Sequence, residues 1–152
     1  MIFLTDDSNS YKRTAVNIEF VERIFLDSWY PGDVKAKLID AQGGSGDKEI
    51  TIKLCDSEEE AKNYLITFAK DYNFLLYDDD KAAINPARIR SVYIAHRYFH
   101  TVFAEVDGYY LQEIRLKEFN YGDYSKEQKD AEDYLAKVVK FLSGGAQNEI
   151  FT

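Results

Sequence analysis

Apolar and polar residues alternate along three short stretches in the first half of the chain. One stretch carries Ile24 and Leu26, the next Val34, Ala36 and Leu38, and the third Ile50, Ile52 and Leu54. Alternation with a period of two is the pattern of a strand with one buried face. Trp29-Tyr30-Pro31-Gly32 predicts the first hairpin turn, since proline presets φ and glycine accepts a positive one. Gln42–Asp47, rich in glycine, predicts a looser second hairpin loop. The period then changes. Ala61, Tyr64, Leu65, Phe68 and Tyr72 fall on one helical stripe. Ser57-Glu58-Glu59-Glu60 is a capping box ahead of it, and its glutamates complement the helix dipole.

The same order of patterns recurs. Residues 16–39 align without a gap to residues 84–107. Val16-Asn17 meets Ile84-Asn85, Ile24-Phe25-Leu26 meets Val92-Tyr93-Ile94, and Val34, Ala36 and Leu38 meet Val102, Ala104 and Val106. Glu49–Lys53 meets Glu113–Lys117 after a shorter loop near Asp107-Gly108. The second inward set is therefore Val92, Ile94, Val102, Ala104, Val106, Ile114 and Leu116. Ser125-Lys126-Glu127-Gln128 repeats the box, followed by Ala131, Tyr134, Leu135, Val138 and Leu142. Even Phe3–Asp7 resembles Leu75–Asp79, which supplies a first strand to each copy. The expected fold is α+β: two tandem ββββα repeats, residues 1–72 and 73–142, each an antiparallel sheet covered on one face by a helix. The copies are expected to form one domain about a rough two-fold axis, with residues 143–152 as a loose tail.

Composition narrows the class. The chain has 152 residues, 45% of them hydrophobic, which suffices for a real core without staples. One cysteine, Cys55, excludes an internal disulfide and points to a reducing, cytoplasmic setting. The N-terminus lacks the charged and apolar regions of a signal peptide, and no apolar run is long enough for a membrane span. The net charge of −8 disfavours duplex DNA, which is held through cations on phosphates.

No residue constellation matches a reaction. His96 and His100 flank Arg97-Tyr98-Phe99, but no further ligand joins them at a recognisable spacing, so no metal and no cofactor is expected. Cys55 precedes a glutamate-rich helix start, which opposes thiolate formation, and reads as a small hydrophobe at a strand end. The carboxylate runs Asp6-Asp7, Asp78-Asp79-Asp80 and Glu58-Glu59-Glu60 sit in turns and at a helix start, not in a cleft. Gly43-Gly44-Ser45-Gly46 lacks the lysine of a phosphate loop. An enzyme is not expected.

Binding is the better reading, in two versions. In the first, Trp29, Tyr30, Arg97, Tyr98 and Phe99 at the hairpin tips form a contact patch, because such residues dominate hot spots. The alternative for these tips is that they cover the end of a neighbouring sheet. Glu58, Glu59, Asp78, Asp79 and Asp80 would add an acidic face for a basic protein partner. Small acidic inhibitors, such as phage anti-defence and immunity proteins, are similar in size and charge. In the second version, Lys35, Lys37, Lys53, Tyr93, Phe103, Arg115 and Lys117 on the outward sheet faces hold single-stranded nucleic acid, with bases stacked on rings and phosphates paired. The tandem order of elements is similar to that of Whirly-type single-stranded DNA-binding proteins, a likeness of topology, and topology alone does not assign a function.

Overall fold

In a computed structural model the structure describes residues 2–5, 15–39, 48–106 and 112–144. The expected loops at 42–47 and 107–108, the Asp6-Asp7 pair and the tail beyond 144 lie outside the described residues. The chain is α+β, as its patterns predict: among the described residues every strand pairing is antiparallel, and two α-helices accompany the sheets. It divides into two compact units, Met1–Ala87 and Arg88–Thr152.

In the first unit β1 (Ile2–Leu4) pairs with β2 (Ala15–Asn17), and a 3₁₀ turn at Ile18–Phe20 follows. Then come β3 (Val21–Leu26), β4 (Asp33–Leu38), β5 (Lys48–Leu54), α1 (Glu58–Tyr72), β6 (Leu75–Tyr77) and β7 (Ala82–Ile84). The main sheet has five strands in the order β5-β4-β3-β7-β6. Ile24, Val34, Ala36, Ile52 and Ala83 are buried in one core with Ala61, Leu65, Phe68 and Phe74, while Leu26, Leu38 and Ile50 are half-buried against it. The alternation therefore places the inward set as expected.

The boundary at 72/73 does not coincide with the division in space. Asn73 closes α1 in the left-handed conformation (φ 58°), and the Phe74 amide donates back to the Ala69 carbonyl at 2.8 Å. That cap turns the chain straight back onto the sheet, where β7 pairs with β3 through Arg23–Ile84, Ile24–Ala83 and Phe25–Ala82. A two-stranded hairpin is marginal alone, so β6 and β7 gain by joining an existing edge. The sheet has five strands rather than four for this reason.

The second unit holds β8 (Ile89–His96), β9 (His100–Val106) and β10 (Gln112–Phe119) in the order β10-β9-β8, with α2 (Tyr124–Leu142). Val102, Ala104, Val106, Ile114, Leu116, Ala131, Val138 and Phe141 are buried; Val92 and Ile94 are half-buried. The order strand-strand-3₁₀-strand-strand-strand-helix occurs in both stretches, but β6 and β7 belong to the first unit's sheet, so the two expected repeats do not each form a sheet of their own. Each 3₁₀ turn begins with the same local bond: the Asn17 side chain accepts the Glu19 amide, and the Asn85 side chain accepts the Ala87 amide, both at 3.0 Å.

The helix starts differ in detail from the boxes expected. At α1, Ser57 accepts the Glu60 amide at 3.1 Å, and Glu60 accepts the Asp56 amide at 3.2 Å. At α2 the cap is Asp123, not Ser125: Asp123 accepts the Lys126 amide at 3.2 Å and Ser125 lies inside the helix. Aspartate is as good a cap as serine, and this one starts the helix two residues earlier. Glu127 then accepts the Gly122 amide at 3.0 Å.

Candidate binding surfaces

The tip of the β3–β4 hairpin is built by its own aspartate. Asp27 accepts the backbone amides of Trp29 (2.8 Å) and Tyr30 (3.3 Å) and meets the Lys35 ammonium at 2.6 Å. Lys35, followed by the Trp29 amide, holds the Asp27 carboxyl below the ordinary carboxylate range. The loop closes with the Asp33 amide donating to the Tyr30 carbonyl at 2.8 Å. Trp29 is left 86% exposed and Tyr30 69% exposed, so these rings project from a fixed loop and do not cover a sheet end.

Two further loops meet this tip. The Cys55 amide donates to the Gly32 carbonyl at 2.8 Å, which seats the tip against the start of α1. A Cβ on Gly32 would lie 2.5 Å from the Cys55 carbonyl oxygen, so only glycine permits the approach. At the base of the tip the Leu26 amide donates to the Lys81 carbonyl at 3.0 Å, and Lys81 meets Glu58 at 3.8 Å. The loops 27–33, 55–58 and 78–81 therefore converge at one end of the unit. These loops and the first turn of α1 carry Trp29, Tyr30, Glu58, Glu59, Asp78, Asp79 and Asp80, which are remote in sequence. Cys55 is half-buried beneath them; burial, then Glu60, pushes its thiol pKa up.

The turn Asp78-Asp79-Asp80 has a left-handed backbone throughout, with φ of 54°, 51° and 64°. Aspartate tolerates this region better than most residues, and a β-branched residue tolerates it poorly. Asp79→Val is expected to lower stability by about 1–2 kcal/mol, and Asp79→Gly not to lower it. Urea unfolding of both variants checks this; equal losses would remove the left-handed backbone as the reason.

The second unit carries Arg97, Tyr98 and Phe99 at its own tip. Tyr98 is 88% exposed and Phe99 sits at the margin of exposure. Arg97 does not face outward as a free cation. Its guanidinium makes a forked pair with Glu113 (2.9 and 2.8 Å) and lies 4.9 Å from the Phe103 ring centre. Tyr93 stacks on Phe103 and donates its hydroxyl to Glu113. Burial and the Glu113 carboxylate push the Tyr93 hydroxyl up to about 12. A pKa raised on folding favours the protonated form, so its stabilising effect is complete below the unfolded value, ~10. The effect is lost as pH rises through about 12. Tyr93 is one of several phenols raised on folding, and Tyr93→Phe is expected to remove one late-titrating phenol from the difference absorbance at 295 nm. If Glu113→Gln leaves the phase unmoved, Glu113 is not a cause.

Near this tip the structure adds to the two histidines a ring that sequence patterns do not single out, Tyr124. His96 and His100 face each other across β8 and β9, with ring centres 4.6 Å apart, and Tyr124 closes on both at 5.3 and 4.6 Å. His100 is buried, and its Nδ1 lies 3.6 Å from Glu127 Oε1. Tyr121 and Tyr124 are exposed beside them. Their placement depends on the Asp123 cap, whose position the serine signal obscures. No set of three or more His, Cys, Asp or Glu suited to a metal occurs among the described residues.

The basic residues proposed for nucleic acid do not form one free face. Lys35 is paired with Asp27, Arg97 with Glu113 and Arg115 with Glu118 at 4.0 Å. Lys37 is buried, 3.5 Å from the carboxylate of Glu22. Lys53 is half-buried and Phe103 is buried. Lys117 leaves the outward set altogether: a bulge between Arg115 and Lys117 shifts the register, and its ammonium lies over the Phe119 and Tyr134 rings at 5.4 and 5.5 Å. A bulge adds one residue to one strand, so strict alternation past it assigns the wrong face.

No helix among the described residues is long and apolar enough to cross a membrane. Comparison of the chain with protein-family models, with curated proteins and with solved structures finds no match.

Proposed function

We propose that this chain is a non-enzymatic, acidic protein-binding module of the inhibitor or immunity type, which engages a basic surface on its partner. The observation that carries the reading is the convergence of three loops of the first unit. Those loops carry the exposed Trp29 and Tyr30 and the carboxylates of Glu58, Glu59 and Asp78–Asp80. An exposed tryptophan held by an ordered loop is the kind of anchor that dominates interfaces. The carboxylates around it, in a chain of net charge −8, would steer a basic partner. A lone cysteine fits a reducing compartment, and the cytoplasm is the proposed location.

The test is capture from the native host with the immobilised chain. A partner that binds at low salt is expected to be lost at high salt, and also lost with Trp29→Ala or with Asp78, Asp79 and Asp80 all changed to asparagine. A captured protein indifferent to all three changes would overturn the proposal.

Single-stranded nucleic acid is the competing proposal, resting on the exposed Arg115 of the second unit, since Phe103 is buried. Anisotropy with short labelled oligonucleotides at low salt separates the two. Arg115→Ala is the informative variant because Arg115 is exposed; Lys37 is buried, so its replacement reports on folding.

A further inference from the structure

The end of the first unit has a chemistry more specific than negative charge. In this protein cations repeatedly settle over aromatic rings. Arg23 lies 5.4 Å from the centre of Phe25, Arg97 4.9 Å from Phe103 and Lys126 5.0 Å from Tyr121. Among the described residues no cation lies over Trp29 or Tyr30, though they are the most exposed rings of their unit. Tryptophan offers the strongest ring face for a cation. Carboxylates stand in the adjoining loops, at Glu58, Glu59 and Asp78–Asp80.

We infer that this surface reads arginine: its occupant is a segment of a partner protein that lays a guanidinium on Trp29 or Tyr30 and pairs further arginine with the neighbouring carboxylates. The inference rests on the proposed binding role and names the chemistry of its partner. Charge complementarity selects a cationic segment over a nucleic acid or an acidic peptide. The ring selects arginine over lysine, because a planar, weakly hydrated guanidinium stacks flat and forks onto a carboxylate, while an ammonium stays hydrated. The tip is suited to this because Asp27 fixes it before any partner arrives, so little ordering is needed on binding. The left-handed turn serves the same end: it holds three successive aspartates on a short, fixed loop.

Trp29 is the only tryptophan, which makes it a built-in reporter. Two fluorescein-labelled nonapeptides of equal charge, one of arginine and glycine and one of lysine and glycine, are titrated with the intact chain at low salt. Anisotropy gives affinity and Trp29 emission reports contact. The arginine peptide is expected to bind about fivefold tighter than the lysine peptide and to change Trp29 emission. Trp29→Ala is expected to remove that preference, and Trp29→Phe to keep part of it. Asparagine at 78, 79 and 80 tolerates the same backbone and is expected to weaken both peptides. Equal binding of the two peptides, with Trp29→Ala without effect, overturns the arginine reading. Binding of neither peptide overturns it too. Both outcomes leave the broader reading to the capture experiment, which asks only whether a partner depends on the same residues.

Discussion

Replacing Glu22 with alanine is expected to cost about 3–5 kcal/mol. Glu22 is only 1% exposed. Its Oε2 lies 3.5 Å from the Lys37 ammonium and 3.5 Å from Nε of Arg23, and the Lys37 side chain is itself only 10% exposed. The charges belong to one buried group that also reaches Tyr77: Arg23 hydrogen-bonds the Tyr77 hydroxyl, while burial pushes that phenol's pKa up. Alanine at 22 would remove a carboxylate from beside the buried Lys37 ammonium. The cause is desolvation, not loss of an attractive pair, and this has a consequence that can be measured. A paired replacement, Glu22→Leu with Lys37→Met, removes both charges and fills similar volume, so it is expected to recover most of the loss. Urea midpoints of the two single variants and the double variant check this. A double variant as unstable as Glu22→Ala would show that specific bonds, and not an orphaned charge, set the cost.

Asn85→Ala is expected to cost about 2–3 kcal/mol, and the corresponding Asn17→Ala only about 1 kcal/mol. Both asparagines open a 3₁₀ turn with the same short bond. Asn85 does more. It is buried, and its Nδ2 donates to the carbonyls of Val21 (2.9 Å) and Ile18 (3.3 Å), while its backbone amide donates to the Glu22 carbonyl at 2.8 Å. It therefore ties β7 to the start of β3 at the bulge that carries Glu22. Alanine would remove the donor from those carbonyls, and the bond to Val21 is buried. Thermal unfolding of the two variants gives the comparison, and equal shifts would mean that only the local cap matters. Because Asn85 and Glu22 are neighbours, their losses are not expected to add.

Both predictions fall where sequence patterns are silent. Glu22 sits between inward-facing Val21 and Ile24, and Lys37 follows the alternation as an outward, solvated residue. The register shift between Val21 and Arg23 changes that, because an extra residue in β3 carries Glu22 into the interior. Lys37 is correspondingly buried, as are Phe103 and Thr101 on the central strand β9. The same limit applies to the candidate site. The types of its residues were legible: Trp29 and Tyr30 at a Pro-Gly turn, glutamates at a helix start, aspartates in a turn. Their company was not. The loops that carry residues 29, 58 and 79 converge because Gly32 lets the tip approach Cys55 and because the β6–β7 turn is drawn to β3. For the second unit, Arg97 was legible as a tip residue, but its pairing with Glu113 depends on β10 lying beside β9.

What the sequence determined alone is everything that depends on local backbone geometry. A period of two marked the strands, a period near 3.6 marked the helices, and Ser57 marked one helix start. The inward residues followed, since a strand or helix buries the same face wherever it packs. The tertiary structure decided which strands became neighbours, where a bulge reversed a face, and which loops converged. Those outcomes rest on long-range pairing and desolvation, which compare whole arrangements of the chain. It was such an arrangement, the capture of a short hairpin by the edge of β3, that brought the loop of three aspartates to the end of the unit that bears an exposed tryptophan.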